Sequence, residues 1–200
     1  MKPERIIGSH TYVKNLLFRY GFGYAFEYQD VGDQKQFLSM FKQRLKDNYI
    51  QEWHSSTNET SKLKYYCKYK SVFELEKYLV VVSIRKYRIA LSKFRCSNHN
   101  LEVERGRRTN IPHNLRYCLF CLEKGLSHIE DELHVLLSCP LYEDLRNRYL
   151  PNRRQNTTNG FVSLLSSRNV TRINELACYI FHCFNKRSAY LSGFASVNQV

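Results

Sequence analysis

Four residues in the second half of this chain have the types and spacing to hold a metal ion. They are Cys118, Cys121, His134 and Cys139, which read Cys-x2-Cys, twelve residues, then His-x4-Cys. Thiolate sulfur and imidazole nitrogen are the donors that a tetrahedral zinc ion prefers, and a Cys-x2-Cys pair can grip one ion from a single tight turn. The His-x4-Cys half spans about one helical turn. Four protein ligands leave no open coordination position, so the pattern points to one structural zinc rather than a catalytic one. The competing reading is a set of buried packing cysteines beside a core histidine, because free cysteine is often buried. The spacing weighs against it. His113 and His128 are rival nitrogen ligands, but neither keeps the His-x4-Cys spacing. Cys178 and His182 lie four apart, with too few partners in view for a second site. Cys67, Cys96 and Cys183 read as packing residues.

Charge supplies a second kind of chemistry. The chain has 200 residues and a formal net charge of +13, which favours a polyanionic partner, RNA or DNA. The excess is densest just before the cysteines. Arg85, Arg88, Arg95, Arg105, Arg107, Arg108 and Arg116, with Lys86 and Lys93, face only Glu102 and Glu104 over that stretch. Arginine and lysine neutralise phosphates and release counterions, so these seven arginines are the candidate nucleic-acid face. The alternative is an ordinary solvated face. Tyr87, Phe94 and Tyr117 interleave with the charges and could stack on bases, although core packing is the better reading for Tyr87 and Phe94.

Catalysis has weaker support. Metal-assisted phosphoryl chemistry needs clustered carboxylates. The acidic groups nearest to that pattern are Asp30 with Asp33, Glu130 with Asp131 and Glu132, and Glu143 with Asp144, and each set sits where a helix starts. Acids there complement a helix dipole. There is no Gly-rich phosphate loop, and no Cys-His pair apart from the metal quartet reads as a nucleophile and its base. The expectation is a chain without enzymatic activity. A nuclease using Asp144 is the enzymatic rival.

These residues need elements to position them. Phe37, Phe41, Leu45, Tyr49 and Trp53 recur every fourth position, behind a capping box formed by Asp33 and Gln36, and predict a helix ending near His54. A short helix or extended piece covers 62–69. Val80, Ile84, Tyr87, Leu91 and Phe94 predict one long helix over 74–95, although 79–84 also has strand character. Residues 98–114 read as a basic loop. Helices are expected over 130–138, stopped by Pro140, and over 142–149. Residues 152–160 read as a polar linker. Ile173, Leu176, Ile180 and Phe184 predict a last helix over 169–187. The fold class is therefore mainly α: a small helical domain whose Cys-x2-Cys turn is stapled by zinc onto a helix. It is preceded by an aromatic arm with a short helix at 13–19. The expected organisation is an arm over 1–33, a helical region over 34–78, the basic helix with the metal segment over 79–150, and a linker and helix over 151–200.

No apolar run is long enough to span a bilayer, and Met1 to Gly8 is charged rather than signal-like. An intracellular site, nuclear or cytoplasmic, is expected, where clustered cysteines bind metal more often than they pair.

Several stretches resemble a known family. They are Leu-Ser-Lys-Phe-Arg-Cys-Ser-Asn-His (91–99), Leu-Glu-Val-Glu-Arg-Gly-Arg (101–107), Cys-Leu-Phe-Cys (118–121) and Ile-Glu-Asp-Glu-Leu-His-Val-Leu-Leu-Ser-Cys-Pro-Leu-Tyr (129–142). Together they resemble the zinc-binding segment at the C-terminal end of non-LTR (LINE-type) retrotransposon reverse transcriptases. Tyr-Gly-Phe-Gly-Tyr (20–24) and Phe-Lys-Gln-Arg-Leu-Lys-Asp (41–47) look like the linker after the polymerase in such elements. The resemblance implies the same four zinc ligands and a role in gripping template RNA or target DNA. Polymerase and endonuclease residues are missing, so it implies the gripping part without the copying activity. It also implies that the apolar arm packs on a partner domain. The alternatives are a zinc-structured protein-interaction module and a nonfunctional retroelement remnant.

Overall fold

The structure, a computed structural model, describes residues 4–151 and 157–197, with side chains described over 10–151 and 157–193. It is mainly α-helical. Among the described residues the only extended pairing is an isolated antiparallel bridge between Tyr117 and Ile129. The chain forms two compact units, Met1–Ser56 and Thr57–Val200. They divide inside a helix, α3 (Gln34–Glu59).

The first unit holds α1 (Glu4–Arg19), α2 (Gly23–Glu27) and most of α3 (Gln34–Glu59). The aromatic arm is thus largely helical, well beyond the single helix expected at 13–19. Gly21 turns the chain at φ +81, a conformation open to glycine. The turn delivers Phe22 into a ring cluster, 5.5 Å from Phe37 and 5.2 Å from Phe41. Phe22 and Tyr20, the latter 6.3 Å from Phe41, thus pack on α3, while Tyr12, Tyr24 and Tyr28 stay exposed. Asp33 caps α3 as expected, its Oδ1 accepting from Gln36 N at 2.7 Å. The helix continues past His54 to Glu59.

The second unit contains α4 (Tyr66–Tyr69), α5 (Lys77–Val81), α6 (Arg85–Arg95), α7 (Glu102–Arg108), α8 (Leu119–Glu123), α9 (Glu132–Leu137), α10 (Glu143–Tyr149), α11 (Thr158–Leu165) and α12 (Val170–Val197). Its core lies between α6 and α12. Ala90, Leu91 and Phe94 meet a layer of Ile173, Leu176, Ala177 and Ile180, all buried.

Three elements differ from expectation, each for a physical reason. The long helix over 74–95 is two helices. The run Val80-Val81-Val82-Ser83-Ile84 is dense in β-branched residues, which are poor helix formers, and the backbone is extended at Val82 and Ile84. Tyr78 and Val82 enter the core instead of Val80 and Ile84, which are 68% and 50% exposed. Arg88 Nη1 donates to the Val82 carbonyl at 2.8 Å, satisfying a group that the break frees. The basic stretch over 98–114 is not all loop. It contains α7, with Glu102 and Glu104 in the first turn and arginines in the last, the arrangement a helix dipole favours. In the third, α11 starts at Thr158, where Thr157 caps it through Gly160 N. The rest of the expected linker, 152–156, lies outside the described residues. The last helix, α12, runs on past Arg187 to Val197.

Candidate metal centre

The Cys-x2-Cys turn is built around α8. Cys118 precedes it, and Leu122 N donates to the Cys118 carbonyl at 2.9 Å. Gly125, at φ +74, reverses the chain, and Leu126 N closes the turn on the Cys121 carbonyl at 2.9 Å. The returning segment is held by Cys118 N on the His128 carbonyl at 2.8 Å and Glu130 N on the Arg116 carbonyl at 2.9 Å. Asp131 then caps α9, its Oδ1 accepting from His134 N at 2.8 Å. Tyr65 OH donates to the other carboxylate oxygen at 2.7 Å. Cys139 follows α9, its N–H on the His134 carbonyl at 2.8 Å, and Pro140 prevents the helix from continuing.

These elements bring all four predicted ligands together. Cys118, Cys121, His134 and Cys139 are buried, and their donor atoms lie within 4.8 Å of one another. Cys118 Sγ is 3.8 Å from Cys139 Sγ, Cys121 Sγ is 4.0 Å from Cys139 Sγ, and Cys121 Sγ is 3.3 Å from His134 Nε2. The other ring nitrogen, Nδ1, is 3.1 Å from Ser138 Oγ. That hydroxyl also donates to the His134 carbonyl, which leaves its lone pair for an Nδ1–H and frees the Nε2 lone pair for the cluster. The residues form a buried Cys3His cluster whose donor atoms lie within metal-binding distance of one another.

The thiols do not ionise independently. A hydrogen bond from Cys139 pulls the Cys118 thiol down to about 4. Burial and the charge on Cys118 push Cys121 up to about 11, and the hydrogen bond to Cys118 raises Cys139. Three sulfurs in one desolvated pocket disfavour one another's ionisation. A divalent cation is the partner that would allow all three to become thiolates.

Behind the cluster lies a buried ionic layer that sequence reasoning missed. Arg187, from α12, donates through Nε to Glu130 Oε1 at 2.8 Å and through Nη2 to Glu130 Oε2 at 2.7 Å and Glu102 Oε1 at 2.9 Å. Glu130 also accepts from Glu102 N at 2.7 Å. Glu132 accepts from Ser97 Oγ at 2.6 Å and pairs with His99 Nε2 at 3.0 Å. Arg146 Nη2 supports the Cys139 carbonyl at 2.5 Å. Nothing local in the sequence joins Glu102 to Arg187. The only available signal was a pair of glutamates, Glu102 and Glu104, inside an otherwise basic run.

The other predicted residues are dispersed. His128 is exposed, its ring 5.3 Å from that of His134 and outside the quartet. His113 lies apart, in a 3-10 turn over His113–Leu115. Cys178 and His182 sit in an aromatic layer with Tyr87, Tyr149 and Phe181, and among the described residues the quartet is the one metal-type cluster. Cys183 is buried, Cys67 half-buried, and Cys96 is exposed rather than packed.

The seven arginines separate by environment. Arg95 is 5% exposed, forks onto Glu76 at 2.9 Å and 3.0 Å, and lies over the Tyr69 ring at 4.5 Å. A guanidinium so enclosed is core architecture and is not available to a phosphate. Arg88 is half-buried and holds the Val82 carbonyl. Arg116, also half-buried, bonds the Ile111 and Val103 carbonyls at 2.9 Å and 2.8 Å. Arg107 pairs with Glu104 at 3.1 Å and donates to Ser61 Oγ at 2.8 Å. Arg85, Arg105 and Arg108 are exposed, Arg105 while pairing with Glu102 at 2.8 Å.

No family model, curated protein or solved structure matches the chain. Fold and site together define a mainly α-helical domain assembled around a buried Cys3His cluster. No described helix is long and apolar enough to cross a membrane.

Proposed function

We propose that the chain is a zinc-stapled, non-catalytic nucleic-acid-binding module. The observation that carries the zinc assignment is the spacing of the donor atoms. Tetrahedral zinc, with bonds of about 2.3 Å to sulfur and about 2.0 Å to nitrogen, holds sulfurs about 3.8 Å apart and sulfur about 3.5 Å from nitrogen. The cluster has sulfurs at 3.8 Å and 4.0 Å and a sulfur–nitrogen separation of 3.3 Å. A set of three thiolates and one imidazole suits zinc better than harder cations. Cys118, Cys121, His134 and Cys139 would hold it, and the metal would supply a cross-link between the α8 turn and the end of α9. Elemental analysis should find one zinc per chain in protein purified without added metal. A stoichiometry near zero in folded protein would remove this assignment.

Support for nucleic acid comes from the charge excess and from Arg85, Arg105 and Arg108, which stay exposed beside Lys86 and Lys93. The resemblance to the zinc-binding end of non-LTR reverse transcriptases points the same way. The acids nearest the site serve structure, Glu130 on Arg187, Glu132 on His99 and Asp131 as a cap, which favours a binding role over a hydrolytic one. The test is fluorescence anisotropy with single-stranded RNA and DNA at low and moderate salt. Salt-sensitive binding is expected, and no binding at low salt by zinc-loaded protein would overturn the reading. A protein-interaction module is the second reading, favoured by exposed Val72, Leu75 and Val80.

A further inference from the structure

A cavity of about 330 Å³ opens between the end of α6, the loop at 98–101, α7 and α12. Lys93, Asn98, Asn100, Arg108, Phe184 and Arg187 line most of it, and no carboxylate does. In a domain whose acids are mostly drawn into ion pairs, that lining is distinctive. Lys93 has no carboxylate partner among the described residues, and Arg108 is held only by Asn100 Oδ1, through Nη2 at 2.8 Å. Arg187 forms the buried end of the cavity. Its Nε and Nη2 are committed to Glu130 and Glu102, while Nη1 has no hydrogen-bond partner among the described residues. Phe184 contributes a half-buried ring, braced 6.4 Å from Phe94 and 6.1 Å from His99.

We infer that this cavity binds a phosphate group, with Lys93, Arg108 and Arg187 Nη1 as donors and Phe184 and the two asparagine amides facing the attached nucleoside. Two mobile cations and one fixed guanidinium can surround a phosphate from three sides, and guanidinium is well matched to its oxygens. The volume is near the lower end of small-ligand pockets, about 300 Å³, so it suits one nucleotide. A phosphate of this kind reaches the protein either as a free nucleotide or within a single-stranded chain. The second source rests on the nucleic-acid reading above and adds to it a particular anchoring point.

The experiment uses the full zinc-loaded chain and the Lys93→Ser/Arg108→Ser double variant, both residues being exposed and outside the metal site. Anisotropy with a short single-stranded RNA is paired with amide and arginine NMR shifts on titrating inorganic phosphate and uridine monophosphate. The double variant should bind RNA about tenfold more weakly, with the salt slope reduced by about 0.7 for the one phosphate no longer engaged. In wild type, the mononucleotide should shift the Arg187 side-chain and Asn98 signals. RNA binding by wild type that the double variant keeps, with no mononucleotide shifts, overturns the cavity while leaving the broader nucleic-acid function standing. Mononucleotide shifts without RNA binding support the cavity and overturn that broader function. Neither signal in wild type overturns both.

Discussion

His134 presents Nε2 to the sulfurs because Ser138 occupies the other side of its ring. A ligand's outer partner typically contributes about ten- to a hundredfold in metal affinity. Ser138→Ala should therefore weaken zinc binding by roughly that factor in a chelator competition while leaving the far-UV circular dichroism unchanged. Equal affinity in the two proteins would deprive Ser138 of this role. Removing a ligand is more severe, because metal-binding energy is also folding energy. Cys118→Ser or His134→Ala should abolish stoichiometric zinc and make residues 117–140 sensitive to protease. Unchanged zinc content and protease resistance in both variants would show that the quartet holds no metal. Tyr65 shows how a single side chain connects this site to the rest of the unit. Its hydroxyl reaches the carboxylate that caps the ligand-bearing helix, and its ring packs 5.0 Å from Phe161 on α11.

Within elements, the pair α6 and α12 offers a sharp comparison. Ile180 is fully buried and Ile84 is half exposed, although spacing alone places both on core stripes. Ile180→Ala should cost about 2–5 kcal/mol in urea unfolding, and Ile84→Ala no more than about 0.5 kcal/mol. Similar costs would mean that the break between α5 and α6 is not present. At α7, a methyl group on Gly106 would stand 2.7 Å from Arg116 Cγ. Both ends of that arginine are tethered to carbonyls, so Gly106→Ala should destabilise by about 1–3 kcal/mol, seen as a lower thermal midpoint. An unchanged midpoint would show that Arg116 moves freely. Legibility followed the same logic. The metal quartet is legible because cysteine and histidine recur at metal-ligand spacing, and the α12 stripe because its apolar residues keep helical spacing; on α3 the same spacing takes in Tyr49, which is 57% exposed. The α7 helix was hidden because its buried face consists of Glu102, Val103, Glu104 and Gly106, whose burial depends on ion pairs rather than apolar periodicity. Arg95 was misread for the complementary reason. Nothing in a basic run distinguishes an arginine forked onto Glu76 from one facing solvent.

For the whole molecule, the +13 charge sets the ionic response. Single-strand affinity should fall with salt by a log–log slope of about 0.7 per phosphate engaged. A slope near zero alongside measurable binding would indicate an uncharged mode of recognition. The arrangement behind the metal has a different kind of consequence, one of timing. The four ligands span 118–139, but the guanidinium that neutralises Glu102 and Glu130 comes from residue 187. A ribosome making this chain releases the whole metal turn well before it releases Arg187, and domains generally assemble from the N-terminal side during synthesis. Throughout that interval Glu130 lacks its counter-charge and Glu102 has only the exposed Arg105, which favours a hydrated layer beneath the turn. Metal capture can then come first, and the dry interior closes only when the last helix arrives.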